Sequence, residues 1–259
     1  MASALMAGLV RAGRDSGTVL VVEPLPAQRE RLEAELQVQT AAAPDARLAG
    51  VDLIVWAVKP QVMQQAVADA RAYLGPSLHI SIAAGLPAQT LARWLGSARV
   101  VRAMPNTAAL VGAGVTGLAA TSGVSAADRR LAEATLAAAG HSFWVADDER
   151  LDAVTAVSGS GPAYVFHFLE AFQAAAEGLG FDAAAARDLV LRTASGALEQ
   201  ARLGQPFGLL RERVTSRHGT TEAALAVLDA RATPAALGAA VHAAATRAAE
   251  LSRELSGKP

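Results

Sequence analysis

Short apolar runs alternate with helical patterns through the first hundred residues, and this alternation constrains the fold more than any other feature. Four runs rich in valine, leucine and isoleucine are predicted strands, at residues 18–22, 51–58, 78–82 and 99–102. Helical patterns lie between them, at 27–36, 61–73 and 87–95. Nearly continuous apolar strands are typical of a parallel sheet that is covered on both faces. The first half therefore predicts a doubly wound α/β layer with right-handed crossovers.

The pattern changes near residue 148, where strand signals disappear and long alanine-rich helical patterns begin. Alanine makes up about a quarter of the chain, which favours closely packed helices. The predicted helices span 162–178, 182–203, 220–228 and 234–255. We therefore predict two domains, an α/β domain over residues 1–147 and an all-helical domain over residues 148–259.

Composition and charge exclude several classes of protein. A hydrophobic content of 52% with 18% charged residues excludes a disordered chain, and a net charge of -1 gives no reason to expect nucleic acid. There is no cysteine, and the five histidines lack metal-ligand spacing, so no metal site is predicted. The charge-free stretch 103–127 is too polar to span a membrane, and no basic residue precedes the apolar stretch 2–10 as in a secretory signal. We predict a soluble, cytoplasmic protein.

The start of the chain departs from the usual order of a dinucleotide-binding unit. Such a unit begins with a strand, a glycine-rich turn and then a helix whose N-terminus holds the pyrophosphate. Residues 1–10 have the pattern of that helix. The expectation is that the first strand and its glycine turn are missing, and that the chain binds a dinucleotide poorly unless they are restored.

Three loops at strand ends predict a cofactor site, because ligands of doubly wound sheets bind at the carboxyl ends of the strands. Lys59 follows the second predicted strand and is suited to a phosphate or a ribose. The small residues 83–85 let a flat ring approach the backbone, and Pro105 fixes φ in a wall of the nicotinamide pocket. Taken alone, the Lys-Pro loop is more often just a turn and the loop at 83–85 is a weak signal, while the loop at 104–107 is a tight turn in about half of such cases. The candidate contacts are Ala57, Val58, Lys59, Pro60, Ala83, Ala84, Gly85, Met104, Pro105 and Asn106.

Two later loops suit a carboxylate. Residues 158–162 (Ser-Gly-Ser-Gly-Pro) and 215–221 (Thr-Ser-Arg-His-Gly-Thr-Thr) each precede a predicted helix. Free backbone N–H groups, small side chains and hydroxyls at a helix start make an anion site. Either loop alone is ordinary N-capping. Together, after a cofactor-like sheet, they favour a small carboxylate substrate.

In their order along the chain, these segments resemble the pyrroline-5-carboxylate reductases, which make the last step of proline synthesis. The resemblance implies a Rossmann-type domain followed by a helical domain that forms an interlocked dimer, often assembled into decamers. It spans the whole chain. The segments that carry it are 57–60 (Ala-Val-Lys-Pro), 81–85 (Ser-Ile-Ala-Ala-Gly), 101–107 (Val-Arg-Ala-Met-Pro-Asn-Thr), 110–112 (Leu-Val-Gly), 152–155 (Asp-Ala-Val-Thr), 158–164 (Ser-Gly-Ser-Gly-Pro-Ala-Tyr), 214–216 (Val-Thr-Ser) and 219–221 (Gly-Thr-Thr).

The resemblance also implies roles for single residues. The substrate carboxylate and ring nitrogen would be held by a loop whose matching residues are Ser216, Gly219, Thr220 and Thr221. Thr221 is the candidate hydrogen-bond partner of the ring nitrogen, and hence the candidate catalytic residue, while Asp148 falls where an acidic residue lies near the substrate. The implied reaction is hydride transfer from NADPH or NADH to the imine carbon. Arg217 and His218 replace the family's usual Pro-Gly, and we expect His218 to restrict a positive φ there.

Cofactor choice and two other functions stay open. Glu23 suits a ribose 2′-OH, whereas Arg29 and Arg31 are suited to a 2′-phosphate. One alternative is another NAD(P)-dependent dehydrogenase acting on a hydroxy acid, a class that usually needs a catalytic lysine or histidine; the predicted helices over 162–203 hold no lysine and only His167. The other is a truncated, non-catalytic dimeric relative.

Overall fold

The computed structural model describes residues 1–255. The strands are β1 Leu20–Val22, β2 Gln39–Ala41, β3 Leu53–Trp56, β4 Leu78–Ser81, β5 Val100–Met104, β6 Gly114–Ala120 and β7 Gly140–Trp144. The α-helices are α1 Ala2–Arg11, α2 Pro26–Leu36, α3 Pro60–Ala70, α4 Ala88–Leu95, α5 Ala126–Leu136, α6 Asp148–Val154, α7 Gly161–Gly178, α8 Ala183–Arg202, α9 Phe207–Arg213, α10 Thr220–Ala230 and α11 Thr233–Leu255. A π-helix, Thr155–Gly159, joins α6 to α7.

The strands form a five-stranded sheet, in the order β3-β4-β5-β6-β7, and a separate parallel pair, β1-β2. Neighbours in the larger sheet are parallel except β5 and β6, which are antiparallel. The exception follows from chain length, because residues 105–113 are too few for the crossover that parallel strands need. A Rossmann-type α/β layer followed by helices is confirmed, with one antiparallel pair that the sequence did not predict.

Both faces of the five-stranded sheet are covered. On β5, Val101 packs with one buried cluster that also contains Leu5 of α1 and Leu136 of α5. The neighbouring Val100 belongs to the other cluster, with Met63 of α3. Because successive side chains of a strand point to opposite faces, the two clusters lie on opposite sides of the sheet. This is the covered arrangement that the apolar strands predicted.

The described chain divides into two compact units. The first contains residues 1–162 together with the chain from Ala243 on, and the second contains residues 163–242. α6 and the π-helix therefore belong to the first compact unit, although they follow residue 147. The predicted domain boundary between residues 147 and 148 stays a prediction. The second unit has a small buried core, formed by Ala176, Ala186 and Val190.

Among residues 1–255, no single helix is both long and apolar enough to cross a membrane. The bent pair α10 and α11 meets the criteria of length and composition when its two helices are taken together.

Candidate active site

The three predicted cofactor loops lie at one edge of the sheet. β3, β4 and β5 are parallel neighbours, and residues 57–60, 83–85 and 104–106 lie at their carboxyl ends, with Met104 as the last residue of β5. Ala57 and Lys59 are exposed at this edge, and Pro60 is the first residue of α3. The structure thus brings together the loops that the sequence selected one by one, while the contact of each residue with a cofactor stays a prediction.

Gly85 has no room for a side chain. It has a φ of 73°, in the region that favours glycine, and a Cβ there would lie 3.1 Å from Leu251 Cβ and 3.3 Å from Leu255 Cδ1. The loop after β4 is therefore packed closely against the end of α11. Ala84, which is half-buried, presents a small side chain in the same loop.

The loop after β5 is held against the π-helix. Asn106 Nδ2 donates to Ser158 Oγ at 3.2 Å, and Asn106 Oδ1 accepts from Val115 N at 3.2 Å. A Cβ on Gly159 would lie 2.7 Å from Met104 Cε. Met104 and Asn106 are therefore both fixed by contacts with the segment just before α7.

The open anion loop predicted at residues 158–162 is wrong. α6, the π-helix and α7 follow one another with helical backbone, and Ser160 N donates to Thr155 O at 2.9 Å. A π-turn inserts one residue into a helix and is frequent at functional sites. Residues 158–162, with two serines, two glycines and a proline, have the composition of a loop, which explains the error.

Sequence reasoning missed a buried cation on β5. The Arg102 side chain is 3% exposed, and its Nη1 lies 2.9 Å from Asp148 Oδ1. Its Nη2 donates to Asp152 Oδ1 at 3.3 Å. Burial raises the pKa of Asp152, against the opposing effects of Arg102 and of a hydrogen bond from Ser252. The only signal in the sequence was an arginine inside an otherwise apolar strand.

Asp148 already has protein partners on both carboxylate oxygens. Besides its ion pair with Arg102, its Oδ2 accepts from Ala88 N, at the start of α4, at 2.9 Å. The side chain is 32% exposed. Its predicted role in substrate binding stays a prediction, and its observed role is to join α6 to β5 and α4.

The predicted substrate loop lies in the second unit, at the N-terminus of α10. Gly219 is the N-cap, and its N–H donates to Ser216 O at 3.0 Å. Ser216 and Thr220 are exposed, and Thr221 is half-buried. The first N–H groups of a helix have no partners within that helix, so this end is suited to an anion.

The expectation that His218 restricts a positive φ is wrong. His218 adopts a φ of 57°. Its N–H donates to Glu222 Oε2 at 2.6 Å, which stabilises this backbone conformation. The loop therefore keeps the left-handed turn without a glycine at that position.

A Rossmann-type layer followed by a helical unit, with a candidate cofactor site at the edge of the sheet, is the architecture of two-domain dinucleotide-dependent oxidoreductases. The family model "NADP oxidoreductase coenzyme F420-dependent" matches residues 1–85, and "Pyrroline-5-carboxylate reductase dimerisation" matches residues 148–251. A pyrroline-5-carboxylate reductase of Pseudomonas aeruginosa is 41% identical, over 98% of this chain and 94% of the relative. The chain belongs to the pyrroline-5-carboxylate reductase family.

Solved structures agree with this membership. A pyrroline-5-carboxylate reductase from Coxiella burnetii superimposes with a TM-score of 0.90 at 36% identity, covering 97% of this chain and 94% of that one. A pyrroline carboxylate reductase from Plasmodium falciparum with NADP bound gives a TM-score of 0.86 at 27% identity, covering 96% and 94%. The similarity includes both compact units, because the coverage is nearly complete.

Proposed function

We propose that this protein reduces 1-pyrroline-5-carboxylate to L-proline by hydride transfer from NADPH or NADH, the last step of proline biosynthesis. The observation that carries the proposal is family membership over nearly the whole chain, at 41% identity to a reductase of that name. Membership through both units favours this reaction over a hydroxy-acid dehydrogenase and over a non-catalytic dimeric relative.

The residues at the edge of the sheet fit a nicotinamide dinucleotide. Lys59 offers an exposed cation for a phosphate or ribose, and Gly85 keeps the loop after β4 in a backbone conformation that favours glycine. Met104, which is half-buried, offers apolar atoms for one face of a ring. The proposed cofactor contacts are Ala57, Val58, Lys59, Pro60, Ala83, Ala84, Gly85, Met104, Pro105 and Asn106. NADPH or NADH, when bound, supplies the hydride.

The N-terminus of α10 is the proposed substrate clamp. Its N–H groups and the hydroxyls of Ser216 and Thr220 suit the carboxylate, with Gly219 allowing close approach. Thr221 Oγ1 is the proposed hydrogen-bond partner of the ring nitrogen. Asp148, in the first unit, is a further proposed substrate-binding residue. A cyclic imine arrives protonated and needs no strong side-chain acid, so the protein contributes alignment of the two reacting carbons. Among residues 1–255 there is also no cluster of three or more metal-ligating side chains.

Substituting Thr221 tests the clamp. A hydrogen bond to a charged group contributes about 1.5–3 kcal/mol, so Thr221→Val is expected to lower kcat/KM for pyrroline-5-carboxylate roughly 10- to 100-fold. The dissociation constant of NADPH, from fluorescence titration, should not change. Thr193→Val is the matched control, because Thr193 lies in the same unit and only bonds Leu189 O within α8.

Two results would contradict this assignment at different levels. A Thr221→Val enzyme with wild-type kcat/KM would exclude Thr221 as the partner of the ring nitrogen. A wild-type protein that binds NADPH but does not oxidise it with pyrroline-5-carboxylate would exclude the reaction itself.

We further propose that the protein is a homo-oligomer, a dimer or a decamer, assembled through its helical unit. The match of residues 148–251 to a dimerisation family and the exposed apolar side chains of that unit support this. We also propose a cytoplasmic location, since a sequence without cysteine fits a reducing compartment.

A further inference from the structure

A buried ion-pair cluster lies directly behind the loop proposed to form the nicotinamide wall. Arg102 precedes Met104 by two residues on β5, so their side chains lie on the same face of the sheet, and that of Arg102 meets α6. There it meets two carboxylates one helical turn apart, Asp148 at 2.9 Å and Asp152 at 3.3 Å. The cluster thus joins β5, which ends at the nicotinamide-wall loop, to α6, which is followed by the π-helix.

Further hydrogen bonds extend the cluster to two more elements. Asp148 Oδ2 accepts from Ala88 N, where α4 begins after the second cofactor loop. Asp152 Oδ2 accepts from Ser252 Oγ of α11 at 2.9 Å. One guanidinium is therefore connected, through its two carboxylates, to the start of α4, which follows the loop after β4, and to α11, the helix that packs on Gly85.

Stability alone does not account for this cluster. Replacing a buried ion pair by apolar residues of similar volume is often neutral or stabilising, because desolvation offsets the attraction. Within residues 1–255, Arg102 Nε and Nη1 and Asp148 Oδ1 are buried without a hydrogen bond, since the Nη1–Oδ1 pair is close but poorly aligned. An arrangement optimised for stability would satisfy these atoms.

The contacts instead fix the position of α6 along β5. Asp148 and Asp152 hold the helix at Arg102, and the next contacts along the same segment are Ser158 with Asn106 and Gly159 with Met104. A shift of α6 by one residue would move both later contacts away from the loop. Because the Arg102 guanidinium contacts two carboxylates of α6, only one register of α6 along β5 keeps both contacts.

We propose that Arg102, with Asp152, is a positioning residue for the reductase reaction, which holds α6 and the π-helix so that Met104 and Asn106 keep the geometry of the nicotinamide wall. This inference rests on the proposed function for its kinetic consequence. The expected effect on hydrogen exchange in the loop after β5 and in the π-helix does not depend on the proposed function.

The test compares Arg102→Met, Arg102→Lys and Asp152→Asn with Arg99→Met as the matched control. Arg99 directly precedes β5 and pairs with the buried Asp128 at 2.6 Å, while its own side chain is 39% exposed. Its side-chain hydrogen bonds go to Asp128 and Pro76 O, and not to the loop or α6. We expect amide hydrogen exchange over residues 104–112 and 155–160 to accelerate at least about tenfold in the Arg102 and Asp152 variants. Arg99→Met should lower the melting temperature and leave exchange in those segments unchanged.

Kinetics and binding give the second measurement. The Kd of NADPH is expected to rise by about tenfold and kcat to fall, while the KM for pyrroline-5-carboxylate stays within about twofold. Arg102→Lys, which keeps one charge contact, should fall between wild type and Arg102→Met. If Arg102→Met does not fold, Asp152→Asn and Ser252→Ala are compared with wild type and Arg99→Met in its place. Both substitutions nearly conserve side-chain volume.

The proposal is overturned if the folded variants show wild-type exchange in both segments and only a lower melting temperature. Accelerated exchange with wild-type NADPH binding would overturn the link to the cofactor wall. Failure of the proposed reaction is seen separately, as a wild-type protein that binds NADPH but does not reduce pyrroline-5-carboxylate.

Discussion

At the scale of single residues, Glu23 is placed to decide between the two cofactors. It follows β1, and its Oε1 accepts from Leu25 N at 2.9 Å, which holds the carboxylate at the strand end. Arg29 Nη1 donates hydrogen bonds to the carbonyl oxygens of Glu23 and Pro24, at 2.8 and 2.9 Å. A carboxylate at this strand end hydrogen-bonds a ribose 2′-OH and repels a 2′-phosphate. We therefore predict a preference for NADH.

We expect wild type to bind NADH more tightly than NADPH, and Glu23→Gln to shift the ratio of the two Kd values toward NADPH by about tenfold, because the repulsion is removed. Fluorescence titrations with both cofactors measure this. Glu30→Gln, at an exposed position of α2, is the control and should leave the ratio unchanged. A wild type that prefers NADPH, with the same ratio in Glu23→Gln, would contradict the prediction.

His79 makes a second prediction at this scale, about pH. It is buried on β4, and its Nδ1 accepts from Trp56 Nε1 at 3.2 Å, which requires the neutral ring. Burial, and to a lesser extent Arg99, lowers the pKa of His79 from 6.5 to about 4. Since the folded-state pKa lies below the unfolded one, the contribution to stability is complete above pH 6.5 and is lost as the pH falls toward 4.

The expected loss from this group is roughly 2–3 kcal/mol in the free energy of unfolding between neutral pH and pH near 4. His79→Asn keeps an acceptor for Trp56 but does not titrate, so urea unfolding of this variant should show a smaller loss than wild type. His141→Asn, at an exposed position of β7, should follow wild type. Equal pH dependence in His79→Asn and wild type would show that the ring does not resist protonation.

At the scale of elements, the contact between the π-helix and the loop after β5 predicts a kinetic effect of Gly159→Ala. The new Cβ would meet Met104 Cε at 2.7 Å, the end of a flexible side chain, so Met104 moves at small cost in stability. We expect the KM for the cofactor to rise severalfold, with the unfolding free energy changed by less than about 1 kcal/mol.

Gly196→Ala on α8 is the control for this substitution, because a Cβ there meets nothing within 4 Å. It should stabilise the protein by about 0.5–1 kcal/mol through helix propensity and leave both KM values unchanged. Wild-type cofactor kinetics in Gly159→Ala would show that Met104 does not shape the cofactor site.

The elements that could be predicted from sequence are those whose own residues determine them. β3 and β4 are continuous apolar runs, and α5 begins at a capping box formed by Ser125 and Asp128. β6 was missed because it contains glycines: a Cβ on Gly117 would lie 2.9 Å from Val154 Cγ1 of α6, so tertiary packing selects that residue. β2, β7, α6 and α9 were also missed by the sequence analysis. β2 has only three residues, which is shorter than the window in which a hydrophobic period can be recognised.

The same distinction applies to the candidate site. Its three loops could be predicted, because parallel strands end at a common edge and each loop directly follows a strand. The Arg102–Asp152 pair could not, because it joins residues 50 positions apart and depends on where α6 packs against the sheet. Likewise, the left-handed backbone of His218 depends on the hydrogen bond to Glu222, which is not visible in the motif.

At the scale of the whole molecule, the apolar surface of the second unit predicts self-association. Phe166 and Phe207 are 65% and 78% exposed, and Phe168 contacts Phe172 on the surface of α7, with ring centroids 5.7 Å apart. Apolar patches of this kind mark interfaces between proteins, and membership in a dimerising family points to a second copy of the chain.

Phe168→Asp should therefore weaken the dimer by at least about a hundredfold, because a buried unpaired carboxylate costs several kcal/mol. Light scattering should give a multiple of 26.4 kDa for wild type and 26.4 kDa for the variant at low micromolar concentration. Val62→Asp, at an exposed apolar position of α3 in the first unit, is the control and should keep the wild-type mass. A monomeric wild type, or dissociation by Val62→Asp alone, would show that the second unit does not form the interface.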